Sequence, residues 1–280
     1  MRHRDFGPTK RQIAVIGQGT WNLERGGRSE AVEALRQGLD AGMTHIDTAE
    51  MYGGGRVEEI VGEAIAGRRD EVFLVSKVLP QNASRRGVIQ ACERSLAHLR
   101  TDRLDIYLLH WPSRYPLEDT FAAFEDLAQA GKIAAWGVSN FDVKDLERSV
   151  RIAGPRKIAC NQVLYHLEER AIEPAVLPFC EQHGIAVVAY SPFGSGRFPS
   201  PRSRGGQVLG EIAEAHGATP HQIALAFLTR LPPLFAIPKA SQARHALDNA
   251  AAGDLELTAD EIARLDDAFP VGSRRELPTL

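Results

Sequence analysis

The chain is short of several things, and each shortage narrows what it can be. It has three cysteines, Cys92, Cys160 and Cys180, an odd set without CxxC spacing. That argues against a disulfide framework and predicts reduced thiols in the cytoplasm. No HxxxH or HxH pattern links the nine histidines, and His216 and His221, five apart, do not share a helix face, so no catalytic metal is expected. A formal net charge of −3 and a pI near 6.3 give no basic surface for nucleic acid or an anionic membrane. No apolar run is long enough to span a bilayer, and Met1–Pro8 lacks the apolar stretch of an export leader. Neither GxGxxG nor GK[ST] occurs, so Gly53-Gly54-Gly55 reads as a turn rather than a phosphate cradle. Lysine is scarce: six residues among 33 basic ones.

One of those lysines is in an unusual place. Lys77 interrupts Phe73-Leu74-Val75-Ser76-Lys77-Val78, which otherwise reads as a buried strand. A strand that takes in an ammonium group must provide a partner or shift its pKa. Short apolar runs of this kind alternate with amphipathic segments along the chain. Strands are predicted over Ile16–Gly19, His45–Asp47, Phe73–Val78, Ile106–His110, Ala134–Ser139, Ile158–Gln162, Ala186–Tyr190 and Leu234–Pro238. Helices are predicted near Glu30–Ala41, Val57–Ala66, Arg86–Leu99, Leu117–Ala130, Val143–Ile152, Pro174–His183, Pro220–Leu231 and Gln242–Ala250, with another after Thr258. Capping boxes at Thr258–Glu261 and Thr219–Gln222, and Gly131 and Gly184 at helix ends, support these limits. Eight strand–helix units predict an α/β chain, a (β/α)8 TIM barrel forming one domain over residues 1–280. Arg11–Val15 is expected in a small hairpin on the barrel floor. The Gly- and Ser-rich stretch from Phe193 to Gly206 is expected to be a loop at the mouth, with flanks that let a lid move.

Barrel chemistry sits at strand C-termini. Asp47, Tyr52, Lys77 and His110 lie at or just past the ends of the second, third and fourth strands, so they can converge. Lys77 can pair with Asp47 and is expected to lower the Tyr52 pKa from its ordinary value of about 10 toward working pH. His110 can hydrogen-bond Tyr52 or a substrate carbonyl. The set moves a proton and lacks a nucleophile for covalent work, so a hydride from a cofactor is its natural complement. The bland readings differ by residue. Lys77 alone reads as a structural charge; with Tyr52 and His110 on neighbouring strand ends the functional reading prevails. His45 reads as a packed core histidine, Cys160 as strand packing, and His98, His183, His216 and His221 as helix-surface residues. Arg202 and Arg204 read as solvated loop charges.

With these residues in view, the chain resembles the aldo-keto reductase family, in the pattern of short bacterial-type methylglyoxal and 2-oxoaldehyde reductases. The resemblance runs from Gln18 to Asn249 through Gly17-Gln18-Gly19-Thr20-Trp21, Asp47-Thr48-Ala49-Glu50-Met51-Tyr52, Val75-Ser76-Lys77, Leu108-Leu109-His110-Trp111-Pro112, Trp136-Gly137-Val138-Ser139-Asn140-Phe141, Asn161-Gln162-Val163, Ala189-Tyr190-Ser191-Pro192 and Ile237-Pro238-Lys239-Ala240. It implies NADPH-dependent reduction of small carbonyl compounds, with Tyr52 as general acid tuned by Lys77 and Asp47 and with His110 orienting the carbonyl. It implies that Tyr190 stacks on the nicotinamide, that Ser139, Asn140 and Gln162 hold its carboxamide, and that Thr20 and Trp21 lie near the ribose. Ser191 would follow the pyrophosphate, and Lys239 would meet the 2′-phosphate with Ser241, Arg244 and His245 beside it and Asn249 nearer the adenine. Trp21 and Trp111 would wall the substrate pocket.

Some positions depart from the family pattern. Ala240 and His245 stand where the family often has Ser or Thr and Arg, Asp248 where glutamate is frequent, and Leu164 where another glutamate is frequent. These bear on the preference for NADPH over NADH. A brief Trp111–Leu117 segment and a short Pro270–Leu280 tail predict an open pocket for small substrates. No obligate protein partner is expected. Two rivals from other classes, a cofactor-binding regulatory protein and a metal-dependent barrel hydrolase, are disfavoured by the intact four-residue set and by the histidine spacing.

Overall fold

The computed structural model describes residues 1–272 and 276–279. The Pro270–Leu280 tail therefore lies partly outside the described residues. The chain opens with an antiparallel hairpin, β1 (His3–Asp5) against β2 (Gln12–Ala14), and β2 falls within the Arg11–Val15 expectation. The hairpin plugs the barrel floor. Phe6 is fully buried, with its ring 4.8 Å from Phe73, 5.0 Å from Phe235 and 5.8 Å from His45. Gly7 follows at φ +52, where a Cβ would stand 2.2 Å from the Ala159 carbonyl oxygen, so the plug can seat only with glycine there.

Eight parallel strands follow in sequence order: β3 (Gln18–Gly19), β4 (His45–Asp47), β5 (Phe73–Val78), β6 (Leu104–Leu109), β7 (Ile133–Ser139), β8 (Ile158–Leu164), β9 (Ala186–Tyr190) and β10 (Leu234–Ala236). The ends of the sheet meet. Ile16 bridges Ala236 and Gly19 bridges Lys239, with Gly17 N–H 2.8 Å from the Ala236 oxygen. The fold is a closed (β/α)8 barrel. The predicted strands over Ile16–Gly19 and Leu234–Pro238 are regular only in part, because their outer residues make the closing bridges instead of a continuous ladder. β6 starts two residues before the prediction and leaves His110 just beyond its end.

Side-chain alternation sorts the strands into two apolar layers. Phe73 and Val75 of β5 face the barrel interior with Ile106, Leu108 and Val188. Leu74 and Val78 face the helices. The same period sends Lys77 inward and Ser76 outward. Around the sheet lie α1 (Arg28–Asp40), α2 (Arg56–Ala64), α3 (Arg85–Leu99), α4 (Leu117–Gln129), α5 (Val143–Ala153), α6 (Val176–His183), α7 (Arg204–His216), α8 (Pro220–Leu228) and α9 (Ala243–Ala251), with α10 (Ala259–Ala268) packed on α7. Both expected capping boxes form, at Thr219 and Thr258, and Gly184 closes α6 at φ +65.

The sequence reading differs from the structure at α7. The expected loop ends at Ser203, whose hydroxyl accepts from Gly206 N–H and starts the helix. Two glycines in a first turn are poor helix formers. Here they are needed for close packing: a Cβ on Gly206 would stand 1.9 Å from the Ser200 oxygen, and one on Gly205 would meet the Phe269 ring at 2.3 Å. No helix among the described residues is long and apolar enough to cross a membrane.

Candidate active site

The C-terminal end of the barrel holds a cavity of ≈ 480 Å³. Lys77 lies beneath it, fully buried, and its inward direction follows from the pleat of β5. Its Nζ donates to Asp47 Oδ2 at 2.6 Å and to the Thr48 carbonyl at 2.8 Å, and lies 3.2 Å from the Tyr52 hydroxyl. Asp47 ends β4 and lines the cavity; its second oxygen accepts from Gln162 Nε2 at 2.7 Å. Tyr52 comes from the turn after β4, its N–H bonded to the Ala49 carbonyl. Its ring meets His110 edge-on at 5.9 Å. His110 stacks on Trp111, with centroids 3.9 Å apart and planes 13° from parallel.

Burial dominates the electrostatics. It lowers the Lys77 pKa, but Asp47 and then Tyr52 raise it further, so Lys77 holds its proton. Burial raises the Asp47 pKa, against the downward pull of Lys77 and Gln162. Burial also raises Tyr52, with Lys77 pulling the other way, and the net direction is upward from the ordinary phenol value. This corrects the expectation that Lys77 brings Tyr52 down toward working pH. The ring is partly buried, which disfavours the phenolate, and the adjacent ammonium is itself partly neutralised by Asp47. Burial, then Lys77, pushes His110 down to about 2, so its imidazole is neutral. His110 Nδ1 is buried without a hydrogen-bond partner.

The expected polar wall is present. Ser139 Oγ donates to the Gln162 carbonyl at 2.8 Å, and Asn140 Nδ2 donates to the His110 carbonyl at 3.0 Å. Tyr190 donates its hydroxyl to Asn140 Oδ1 at 2.9 Å. Thr20 Oγ1 donates to the Asp47 carbonyl at 2.8 Å, and Trp21 stands 39% exposed at the rim. Ser191 follows β9 in the left-handed region at φ 49. Asn22 and Asn140 share that conformation at φ 61 and 62, and Ser195 at φ 51, so four non-glycine residues with positive φ line this mouth. Lys239 lines the cavity and is exposed. Ser241, Arg244 and His245 lie further out, before and within the first turn of α9, and do not line it; Asn249 is buried in the same helix.

The mouth loop is not free along its length. Phe198 stacks on His221 of α8 at 3.9 Å and 10°, and Phe193 meets the same ring at 4.8 Å. In this conformation the middle of the loop packs on α8. Met51, Asn22 and Phe193 also line the cavity and were not among the expected site residues. Asn22 had one legible signal, the tolerance of asparagine for left-handed backbone. Among the described residues no group of three or more His, Cys, Asp or Glu side chains is placed to hold a metal ion.

The wall has the chemistry to hold a flat, carboxamide-bearing ring. Gln162 spends its Nε2 on Asp47, which leaves its amide oxygen as an acceptor, and the Tyr190 ring lines the same cavity. The Lys239 ammonium at the rim suits a phosphate.

Comparison with known proteins agrees with this geometry. The sequence profile of the Aldo/keto reductase family matches residues 15–269. Methylglyoxal reductase YeaE of Escherichia coli (strain K12) is 46% identical over 261 residues, 92% of each chain. Glyoxal reductase of Bacillus subtilis (strain 168) is 33% identical over 258 residues, 91% of this chain and 88% of its own. The crystal structure of an aldo/keto reductase from Klebsiella pneumoniae in complex with NADP and acetate superposes with a TM-score of 0.94 at 43% identity, covering 100% of both chains. An aldo-keto reductase from Klebsiella pneumoniae in complex with NADPH gives a TM-score of 0.94 at 44% identity, over 100% of this chain and 99% of that one. The chain belongs to the aldo/keto reductase family of oxidoreductases.

Proposed function

We propose that this protein is one barrel domain that reduces small aldehydes with NADPH, and that 2-oxoaldehydes such as methylglyoxal are its best substrates. One observation carries the chemistry: a phenol, Tyr52, opens onto a cavity of ≈ 480 Å³ while its hydroxyl lies 3.2 Å from a buried, charged lysine. NADPH, when bound, supplies the hydride to the carbonyl carbon. Ser139, Asn140, Gln162 and Tyr190 hold the nicotinamide end, Thr20 and Trp21 lie near its ribose, and Ser191 follows the pyrophosphate. Lys239 meets the 2′-phosphate, with Ser241, Arg244 and His245 beyond it and Asn249 toward the adenine.

The protein's own steps concern the carbonyl oxygen. His110, held neutral by burial, donates a hydrogen bond to that oxygen without transferring its proton. Tyr52 gives its proton to the oxygen as negative charge develops there. The phenolate left behind is stabilised by Lys77, whose charge Asp47 keeps in place. The proton leaves one oxygen and arrives on another, so charge balances once hydride has reached carbon.

The walls support the substrate class. Trp21 and Trp111 offer apolar faces and few hydrogen-bond groups, so binding contributes little and the aldehyde must be activated by its own chemistry. An adjacent carbonyl does that. The relatives that reduce methylglyoxal and glyoxal support the same reading. The test is steady-state NADPH oxidation with methylglyoxal, glyceraldehyde, an aromatic aldehyde and a steroid ketone, in wild type and Tyr52→Phe. Methylglyoxal should rank first. Tyr52→Phe should lose ~10²–10⁴-fold in kcat while NADPH affinity holds, because the phenol acts only in the chemical step. A preference for the steroid, or near wild-type kcat in Tyr52→Phe, would overturn the proposal.

A further inference from the structure

Behind the site lies a carboxylate that the chemistry above does not use. Glu58 of α2 is fully buried, with 0% of its side chain exposed. One oxygen accepts from Ser76 Oγ at 2.7 Å, and the other is 3.1 Å from His98 Nδ1. A buried carboxylate is costly unless paired. His98, from α3, is its one basic neighbour at hydrogen-bond distance among the described residues, and its side chain is 38% exposed.

Each partner leads directly to a residue of the site. Ser76 precedes Lys77 on β5; one faces out to Glu58 and the other faces in to Asp47 and Tyr52. The His98 ring lies under the turn that Tyr52 opens. That turn, Tyr52–Gly55, has three successive glycines at φ 57, 64 and 94, a run with little stiffness of its own. A Cβ on Gly55 would stand 2.4 Å from His98 Cε1, so the glycine backbone lies against the imidazole. A second contact braces the other flank. Glu50 accepts from Leu79 N–H at 2.7 Å and Asn82 Nδ2 at 2.9 Å, and pairs with Arg94 at 3.3 Å. Arg94 and His98 are i and i+4 on α3, on one helix face.

We propose that Glu58 and His98 are positioning residues: their pair fixes the Tyr52 turn against the Lys77 strand and so sets the Tyr52–Lys77 separation. This rests on the reading of Tyr52 as the acid. Neither residue lines the cavity, so both act through others. The effect should fall on the chemical step, since a misplacement of about 1 Å can cost ~10²-fold in rate.

The experiment compares four variants by kcat and KM for methylglyoxal, NADPH Kd and thermal midpoint. His98→Phe keeps a ring under Gly55 but cannot bond Glu58. It should lose about tenfold or more in kcat, within that positional range, with NADPH Kd unchanged. His98→Gln can still donate to Glu58 and should recover most of the rate; if His98→Phe does not fold, Gly55→Ala carries the test. Gly55→Ala drives a methyl into the ring and should lower kcat with the Glu58–Ser76 bond intact. Tyr52→Phe is the control. If it stays active, the assignment of the acid is wrong. If it is inactive while a folded His98→Phe or a folded Gly55→Ala keeps wild-type kcat, the assignment stands and the positioning pair does not. A lowered thermal midpoint with unchanged kcat would likewise leave the pair merely structural and overturn the proposal.

Discussion

Replacing Lys77 with methionine separates the stability of the buried pair from its chemistry. Loss of Nζ strips the donor from Asp47 Oδ2 and from the Thr48 carbonyl, at 2.6 and 2.8 Å, while Gln162 still serves Asp47 Oδ1 at 2.7 Å. Breaking one side of a buried pair costs about 3–5 kcal/mol. Total stabilities are about 5–15 kcal/mol, so Lys77→Met should fold with little margin. At about 2–4 °C per kcal/mol for large domains, the thermal midpoint should fall by roughly 10 °C. The penalty depends on pH. Burial already raises the Asp47 pKa, and without Lys77 it rises further. A carboxylate with a raised folded pKa is penalised above its unfolded value and relieved as pH falls, so the gap from wild type should narrow between pH 8 and pH 5. In Asp47→Asn/Lys77→Met the uncompensated charge is gone, and much of the midpoint should return. Reduction should stay lost in both variants, and Lys77→Arg should not restore it, because a wide fork does not fit a site shaped for one nitrogen. Thermal melts across pH, alongside NADPH oxidation with methylglyoxal, read all of this. A double variant no more stable than Lys77→Met, with a gap insensitive to pH, would refute the ion-pair reasoning.

Lys239→Met should weaken NADPH binding far more than NADH binding, read by fluorescence titration with each cofactor; equal wild-type affinities unchanged by the substitution would remove Lys239 from the phosphate site. Trp21→Ala and Trp111→Ala should reorder the substrate panel by kcat/KM while leaving NADPH Kd in place. Trp111→Ala should act more strongly, since that ring stacks on His110. His45 is buried with both ring nitrogens unpartnered, and burial, then Lys77, holds its pKa to about 3. A base with a lowered folded pKa costs stability as pH falls below its unfolded value, at up to ~1.4 kcal/mol per pH unit. His45→Leu should therefore flatten the fall of the thermal midpoint between pH 6.5 and 4; an unchanged slope would show that His45 is protonated within the fold.

The barrel was legible because its strands carry two independent signals, the alternation of apolar residues and turn chemistry at their ends. Phe73–Val78 shows both, and the one anomaly in it, Lys77, marked the site. The helix Arg204–His216 was less legible. Gly205 and Gly206 read as loop by propensity, and only the packing of Ser200 and Phe269 against them explains why a helix begins there. Glu58 was hidden for the opposite reason. Beside Glu59 on an amphipathic helix it reads as one of two solvated charges, yet it is buried while Glu59 stays half-exposed. What distinguishes them is contact with Ser76 and His98, distant in sequence.

Tyr52 shows where local reasoning about charge fell short, and the correction strengthens the chemistry. A lysine beside a tyrosine suggests a lowered pKa and a ready phenolate. In the barrel the lysine is fully buried and the tyrosine partly so, burial disfavours the phenolate, Asp47 offsets part of the ammonium field, and the phenol pKa moves up. An acid that has already lost its proton cannot protonate an oxygen; an ordinary phenol, near ~10, is protonated at neutral pH, and the upward direction leaves Tyr52 in that form. Lys77 does not empty the phenol of its proton in advance; it stabilises the charge that appears when the proton leaves. That is stabilisation expressed in the transition state rather than in the resting enzyme, the kind that raises kcat. It also accounts for the spacing. At 2.6 Å from Asp47 and 3.2 Å from Tyr52, the lysine is held by the carboxylate and only near the phenol, in position for a shorter contact once the phenol is ionised.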